Sequence, residues 1–292
     1  MTMIHDSALG SYQEIITARA TDKKIKAKSQ DGGVVSALLV YALEENIIDG
    51  CLVASHGREP LTTETMVATT KKDILNASGT KYTLCPNLSL MNEATRSYGL
   101  EKLAVVGTPC HVMGLRKMQA YPMGMRGVAD KVALTISLFC MGSFPYESLK
   151  TFVSAKAQIN PEKVTKMTIS GDKLLIKHSS AGEEFELPVT ETFGFGQSGC
   201  NYCLDYVGEL SDISCGSVGS EPGWSTIIKR TVNASPLIDD AIEHGVLELN
   251  TDNGVKPDLD LIKNLSSYKK KQNQKMIDEK ISLGLEAPFK RL

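Results

Sequence analysis

The chain has little excess of either charge. Lys and Arg number 32 and Asp and Glu 34 among 292 residues, a formal net charge of -2. With no basic arm or stripe, nothing directs it to nucleic acid. It has no apolar run long enough to span a bilayer. Its start, Met1-Thr2-Met3-Ile4-His5-Asp6, has no basic region followed by an apolar core, so no signal peptide is expected. Paired cysteines are scarce as well. There are seven, an odd number, and most stand singly at the ends of apolar runs; this argues against a secreted disulfide framework and for a reducing cytoplasm. Only Cys200 and Cys203 stand two residues apart. A zinc ribbon would need a second close pair, and ferredoxin-type binding would need several close cysteines in a run.

What is present centres on that pair. Thiolates at this spacing either bind one metal centre or close a redox disulfide. A thioredoxin-like pair opens a helix after a strand. Here Gly194, Gly196 and Gly199 crowd the approach instead, so the backbone there suits close passage past a bulky inorganic group. The following residues, 204–213, read as a short helix with Asp205, Glu209 and Asp212 on one face, a polar side or partner contact.

Two other cysteines end buried strands. Residues 102–107 form a short apolar strand, Gly107 allows a turn, Thr108 suits a cap and Pro109 the first helical position, so Cys110 stands at a helix N-terminus. Residues 132–142 repeat the pattern and deliver Cys140. Ligands in open α/β sheets gather at the carboxyl ends of strands, which makes Cys110 and Cys140 natural partners for Cys200 and Cys203. His111 reads as a satisfied helix histidine, and Cys51 as core.

A second group of residues comes earlier in the chain. Ser29-Gln30-Asp31-Gly32-Gly33 opens an apolar helix over 34–45, and backbone N–H groups at such a start suit a phosphate or pyrophosphate. Taken alone, Ser29 or Asp31 capping that helix is the simpler reading. Residues 78–87 combine Gly79, Thr80, Lys81, Tyr82, Pro86 and Asn87. Lys81 suits a phosphate or carboxylate and Tyr82 a ring, against the simpler reading of an alternating strand with a solvated lysine. Further on, 166–188 reads as a β-meander. Single Trp224 reads as core, and 259–280 as a lysine-rich surface or docking helix.

Taken in order, the Ser29–Gly33 loop, Gly79-Thr80-Lys81-Tyr82 with Pro86-Asn87, Val106-Gly107-Thr108-Pro109-Cys110 before Gly114-Leu115-Arg116-Lys117, and Cys200-x-x-Cys203-x-Asp205 before Glu209-Leu210 resemble the coenzyme F420 hydrogenase/dehydrogenase beta-subunit family. The resemblance runs from about Tyr12 to about Gly245. It implies a mixed α/β fold: a central, largely buried sheet flanked by helices, with the meander as an insertion and a cluster-binding loop region. It divides the chain into a flavin-binding portion at 1–95, a cluster-carrying portion at 96–250 and a helical tail at 251–292.

The same resemblance implies FAD and one 4Fe-4S cluster held by Cys110, Cys140, Cys200 and Cys203, leaving Cys51, Cys85 and Cys215 outside the pattern. Ser29, Gln30, Asp31, Gly32, Gly33, Gly79, Thr80, Lys81, Tyr82, Pro86, Asn87, Thr108 and Pro109 become cofactor contacts, with no side chain assigned as catalytic. Lys81 and Arg116 would meet phosphates or the acidic tail of coenzyme F420, the substrate. The activity implied is that of a cytoplasmic oxidoreductase subunit receiving electrons from a nickel–iron hydrogenase large subunit and an iron–sulfur small subunit. Alternatives are a stand-alone enzyme using reduced F420, the beta subunit of an F420-linked formate dehydrogenase, or an adaptor holding only the cluster.

Overall fold

The computed structural model describes residues 2–121, 126–179, 184–250 and 254–286. Its strands in chain order are β1 (Ile4–Asp6), β2 (Gly10–Tyr12), β3 (Glu14–Ala20), β4 (Gly50–His56), β5 (Thr63–Ala68), β6 (Leu103–Gly107), β7 (Val132–Leu138), β8 (Val164–Ser170), β9 (Lys173–His178), β10 (Glu184–Pro188), β11 (Ile213–Gly216), β12 (Ser225–Lys229) and β13 (Leu247–Leu249). The helices are α1 (Lys23–Lys28), α2 (Val34–Glu44), α3 (Lys71–Asn76), α4 (Met91–Arg96), α5 (Pro109–Ala120), α6 (Arg126–Ala129), α7 (Tyr146–Ala155), α8 (Ala234–Glu243) and α9 (Leu259–Ser282).

The frame is an eight-stranded sheet in the order β13-β3-β12-β11-β7-β6-β4-β5. Strands β4, β6, β7 and β11 run parallel, and antiparallel strands flank them on both sides. The parallel centre follows from its sequence, since strands covered on both faces read as continuous apolar runs. Parity sorts their side chains. Ala104, Val106, Leu134 and Ile136 join α2 and α8 on one face. Leu103 and Val105 meet Leu115 of α5 and Met91 of α4 on the other.

Helix α2 buries Val34 and every residue from Ala37 to Ala42, in keeping with its apolar composition. Strand β3 is inserted between β12 and β13, pairing Ile16 with Ile227 and Ala20 with Leu247. The meander forms a separate β10-β9-β8 sheet, whose Met167, Leu174 and Ile176 pack on Phe152 of α7.

The structure departs from the local readings at several points. Residues after Pro86 first form a turn, with Ser89 N donating to Pro86 O at 2.8 Å, so helix begins only with α4. The polar segment after β4 leads directly into β5, where Thr63 pairs with His56. Asp22 caps an unforeseen helix, α1, by accepting from Lys24 N at 2.7 Å. Trp224 is core, with the Arg19 guanidinium 4.2 Å from its ring centroid. Among the described residues no helix is long and apolar enough to cross a membrane.

Candidate cofactor site

Strand direction places the site. β6 and β7 end side by side, with Gly107 opposite Ser137, and their carboxyl ends release Cys110 and Cys140. The chain returns through a short 3-10 turn at Ser198–Tyr202 that presents Cys200 and Cys203. The thiols converge on Cys140: Cys110, Cys200 and Cys203 each act on it, and Cys110 also acts on Cys203. Burial pushes the Cys140 thiol up to about 12, with the Lys269 ammonium opposing it and those three thiols adding to it. Burial raises Cys203 too, again against Lys269.

Cys110 is exposed, and the Thr108 hydroxyl stands 3.1 Å from its sulfur. Thr108 N donates to His111 Nδ1 at 3.1 Å, which leaves the ring proton on the other nitrogen, bonded to the Cys85 backbone. Burial lowers the His111 pKa, so this neutral imidazole ties the Cys110 turn to the 85–87 loop. The remaining cysteines lie apart from the four. Cys215 sits within β11, opposite Leu138 and Ile227, in the core cluster that also holds Cys51. Buried Cys85 contacts the Thr65 hydroxyl.

The cysteine turn has no sheet neighbour to satisfy its carbonyls, and α9 supplies the donors. Asn273 Nδ2 donates to Cys200 O at 2.9 Å and Cys203 O at 2.7 Å. Lys269 Nζ donates to Cys140 O at 2.6 Å and Asp205 O at 2.9 Å. The Lys280 ammonium lies 4.7 Å from the Tyr202 ring centroid. The lysine-rich helix therefore does more than present a charged surface, since it buries Ile262, Ser266, Lys269 and Ile277 on one face.

The residues after the pair are not the expected helix. Gly208 has φ +75°, and the Asp205 carboxylate accepts from Gly208 N and Glu209 N, folding 205–209 into a turn. Asp205, Glu209 and Asp212 consequently diverge. Glu209 pairs with Lys270 at 2.7 Å, while Asp212 accepts from Thr135 N and from Arg116. Arg116 also donates to Leu210 O and Gln119, so it is committed to an internal network and is unavailable to an anion.

The second group also gathers at the carboxyl edge. The glycine loop closes onto the end of β3, with Ala20 N donating to Gly32 O at 2.7 Å. A Cβ on Gly32 would stand 2.8 Å from Ala18 O and 2.9 Å from Ser225 N, so its missing side chain serves packing. Neither Ser29 nor Asp31 caps α2. Ser29 Oγ donates back to Ile25 O of α1, and the N-cap of α2 is left-handed Gly33, with no side chain on the first N–H groups.

The loop reaches the other predicted contacts through Ser36 Oγ, 2.9 Å from Ser78 Oγ, and through Lys28 O, which lies against Gly79. The meander touches both segments, because Gln30 donates to Thr168 at 2.9 Å and the Tyr82 hydroxyl accepts from Ile169 N at 3.0 Å. Lys81 is not solvated on an open strand. Its ammonium donates to the carbonyls of Ala77, Ser78 and Gly79, and burial pushes its pKa down to about 8. Burial, and then the Lys81 charge, lower the His56 pKa, while burial raises the Asp31 carboxyl.

Asn87 donates to Val106 O at 2.7 Å, but its buried Oδ1 has no partner. Thr80 and Pro86 are exposed, and Pro109 is buried at the start of α5. Sequence reasoning missed Ser36, His56, Ser78, Thr168, Lys269 and Asn273. Each lacks any local motif and enters only through a long-range contact.

The donor sets fit two different groups. Four cysteines beside a buried cation suit an anionic thiolate centre. Among the described residues, however, no three His, Cys, Asp or Glu side chains close around a single-ion position. Uncapped α2 N–H groups and Asn87 Oδ1, unpartnered among the described residues, suit a phosphorylated, hydrogen-bonding ring cofactor. Two clefts, one lined by Ile47, Asn233 and Asp240 and the other by Ile15, Lys229 and Lys256, lie at the opposite edge of the sheet.

A parallel-centred sheet with four thiols and an anion-ready glycine loop gathered at its carboxyl edge defines an α/β protein of the oxidoreductase class. The chain belongs to the coenzyme F420 hydrogenase/dehydrogenase beta-subunit family. Two family models described as "Coenzyme F420 hydrogenase/dehydrogenase, beta subunit" match it, the N-terminal one over residues 15–92 and the C-terminal one over residues 100–254.

It is 46% identical over 281 residues to the coenzyme F420 hydrogenase subunit beta of Methanothermobacter thermautotrophicus, covering 96% of this chain and 99% of that one. It is 44% identical over 283 residues to the corresponding subunit of Methanosarcina barkeri, covering 97% of each. A chain of the F420-reducing NiFe hydrogenase complex of Methanosarcina barkeri superposes with TM-score 0.94 and 43% identity, over 99% of this chain and 100% of that one.

Proposed function

We propose that the chain is the F420-facing subunit of an F420-reducing hydrogenase, carrying one 4Fe-4S cluster on Cys110, Cys140, Cys200 and Cys203 and FAD between the glycine loop and the 78–87 loop. The observation that carries this reading is the convergence at one sheet edge of four thiols from three separate connections, three of them acting on Cys140. When bound, the two groups supply the conversion of single electrons into a hydride for the deazaflavin coenzyme.

The chain's own residues bind, orient and exclude water. The first N–H groups of α2, free of any side-chain cap, would hold the pyrophosphate of FAD. Lys81 rigidifies the turn at 77–79, and Asn87 Oδ1 offers an acceptor to a ring N–H. Tyr82 and Gln30 fasten the meander over both loops. Neutral His111 keeps the Cys110 turn in register with that loop without bringing a proton to it. The partners in this reading are a nickel–iron hydrogenase large subunit and an iron–sulfur small subunit. Exposed Leu138, Met141, Phe193 and Leu210 are close in sequence to the cysteines and offer apolar surface to them.

The test is anaerobic purification with iron, sulfide and flavin quantified, followed by addition of the reduced deazaflavin coenzyme. Four iron, four sulfide and one flavin per chain, with the flavin band bleaching, is the expected result. Zinc without flavin would return the cysteines to a structural role, and a cluster without flavin would leave an electron-transfer adaptor.

A further inference from the structure

Lys269 is 3% exposed, and among the described residues it forms no ion pair. Its neighbour Lys270 takes the carboxylate of Glu209 instead, and Lys263 takes Asp6. An ammonium withdrawn from water without a counter-charge is unfavourable. Two carbonyls, Cys140 O and Asp205 O, relieve part of that cost but bring no negative charge. The Lys269 ammonium sits on the Cys140 backbone, bonded to Cys140 O at 2.6 Å, and its charge acts on the Cys140 and Cys203 thiols. Lys269, Asn273 and Lys280, spaced by four and seven residues, lie on one face of α9, and all three engage residues of the cysteine centre.

We propose that Lys269 is a positioning residue that serves as the resident counter-charge of the thiolate centre, raising its reduction potential, while Asn273 holds its loop without setting that potential. The inference rests on the four-iron reading above. A cluster with four thiolate ligands is an anion that gains a further negative charge on reduction, so a fixed cation alongside favours the reduced form. Asn273 bears no charge; its amide bonds Cys203 O and adds a second donor to Cys200 O, which already accepts from Cys203 N at 3.2 Å, so it ties the cysteine turn to α9.

The test is a redox titration of the full anaerobic chain followed by electron paramagnetic resonance, with iron and sulfide counted in each variant. Lys269→Gln keeps a donor and loses the charge. It should retain its iron and show a more negative midpoint. A change on the order of tenfold in the reduced-to-oxidised ratio at fixed potential corresponds to about 59 mV for one electron. Asn273→Ala should lose iron faster to a chelator, with an unmoved midpoint in the clusters that remain.

A fully loaded Lys269→Gln chain with the wild-type midpoint would overturn the counter-charge, as would an equal shift in Asn273→Ala. If Lys269→Gln takes up no cluster, Lys269→Arg decides: restored iron and the wild-type midpoint support the charge, and an empty chain refutes it. Wild-type chain that carries no four-iron cluster would overturn the cluster reading itself, and the inference with it.

Discussion

Lys81 shows how one side chain's surroundings set its behaviour. Three carbonyls hold its ammonium in a site from which water is largely excluded, and burial takes its pKa from 10.5 to about 8. Between those values the unfolded chain binds more protons than the folded one, so stability rises with pH across that window. A shift of this size amounts to about 3 kcal/mol at most. Urea unfolding of the flavin-free chain and of Lys81→Met from pH 8 to 10.5 should show the wild type gaining on the variant. Parallel curves would mean that the lysine is solvated after all. The sequence displayed Lys81 as a residue worth attention, because it stands between a glycine and an aromatic. It could not show the carbonyls of residues 77–79 turning inward, nor that Arg116 would be consumed by Asp212 and Leu210.

Among elements, strands were the most legible and the cysteine approach the least. The runs at 103–107 and 132–138 are mostly apolar and only five and seven residues long, a length that suits a buried strand better than a helix. Residues 204–212 carry helix-like spacing of acids, yet Asp205 satisfies backbone N–H groups locally and Gly208 takes a conformation that ends any helix. A Cβ on Gly208 would collide with Cβ and Oγ of Ser137. Gly208→Ala should therefore destabilise the fold by roughly 2–5 kcal/mol, the sum of left-handed strain and overpacking. Thermal unfolding measures it, and an unchanged Tm would show that this turn relaxes freely. Arg230 locks the same turn to the N-terminal hairpin by donating to Leu9 O, Ser11 O, Val207 O and Ser214 Oγ.

On the scale of the whole molecule, the meander was readable from its alternating pattern and the mixed α/β fold was implied by the family resemblance, whereas the long-range closures were legible in neither. No local signal places β3 between β12 and β13 or lays α9 on the cysteine turn, because both depend on partners far away along the chain. The resulting architecture joins a rigid parallel centre to a site built of connections, and such connections draw their order from what they bind. Hydrogen exchange on the chain before and after reconstitution with iron and sulfide should show β4, β6 and β7 slow throughout. Residues 198–212 and the inner face of α9 should gain protection only with the cluster. Equal protection in both states would mean that the turn is preformed.

The clamp also has a consequence in time. All four cysteines precede Asn273 in the chain, and 70 residues separate it from Cys203. At ribosomal speeds of roughly 5–20 residues per second, these four cysteines are synthesised about 4–14 s before the residue that closes over their turn. In the cluster reading proposed above, delivery of iron and sulfide would have its easiest access in that interval, while the nascent chain still lacks its own latch.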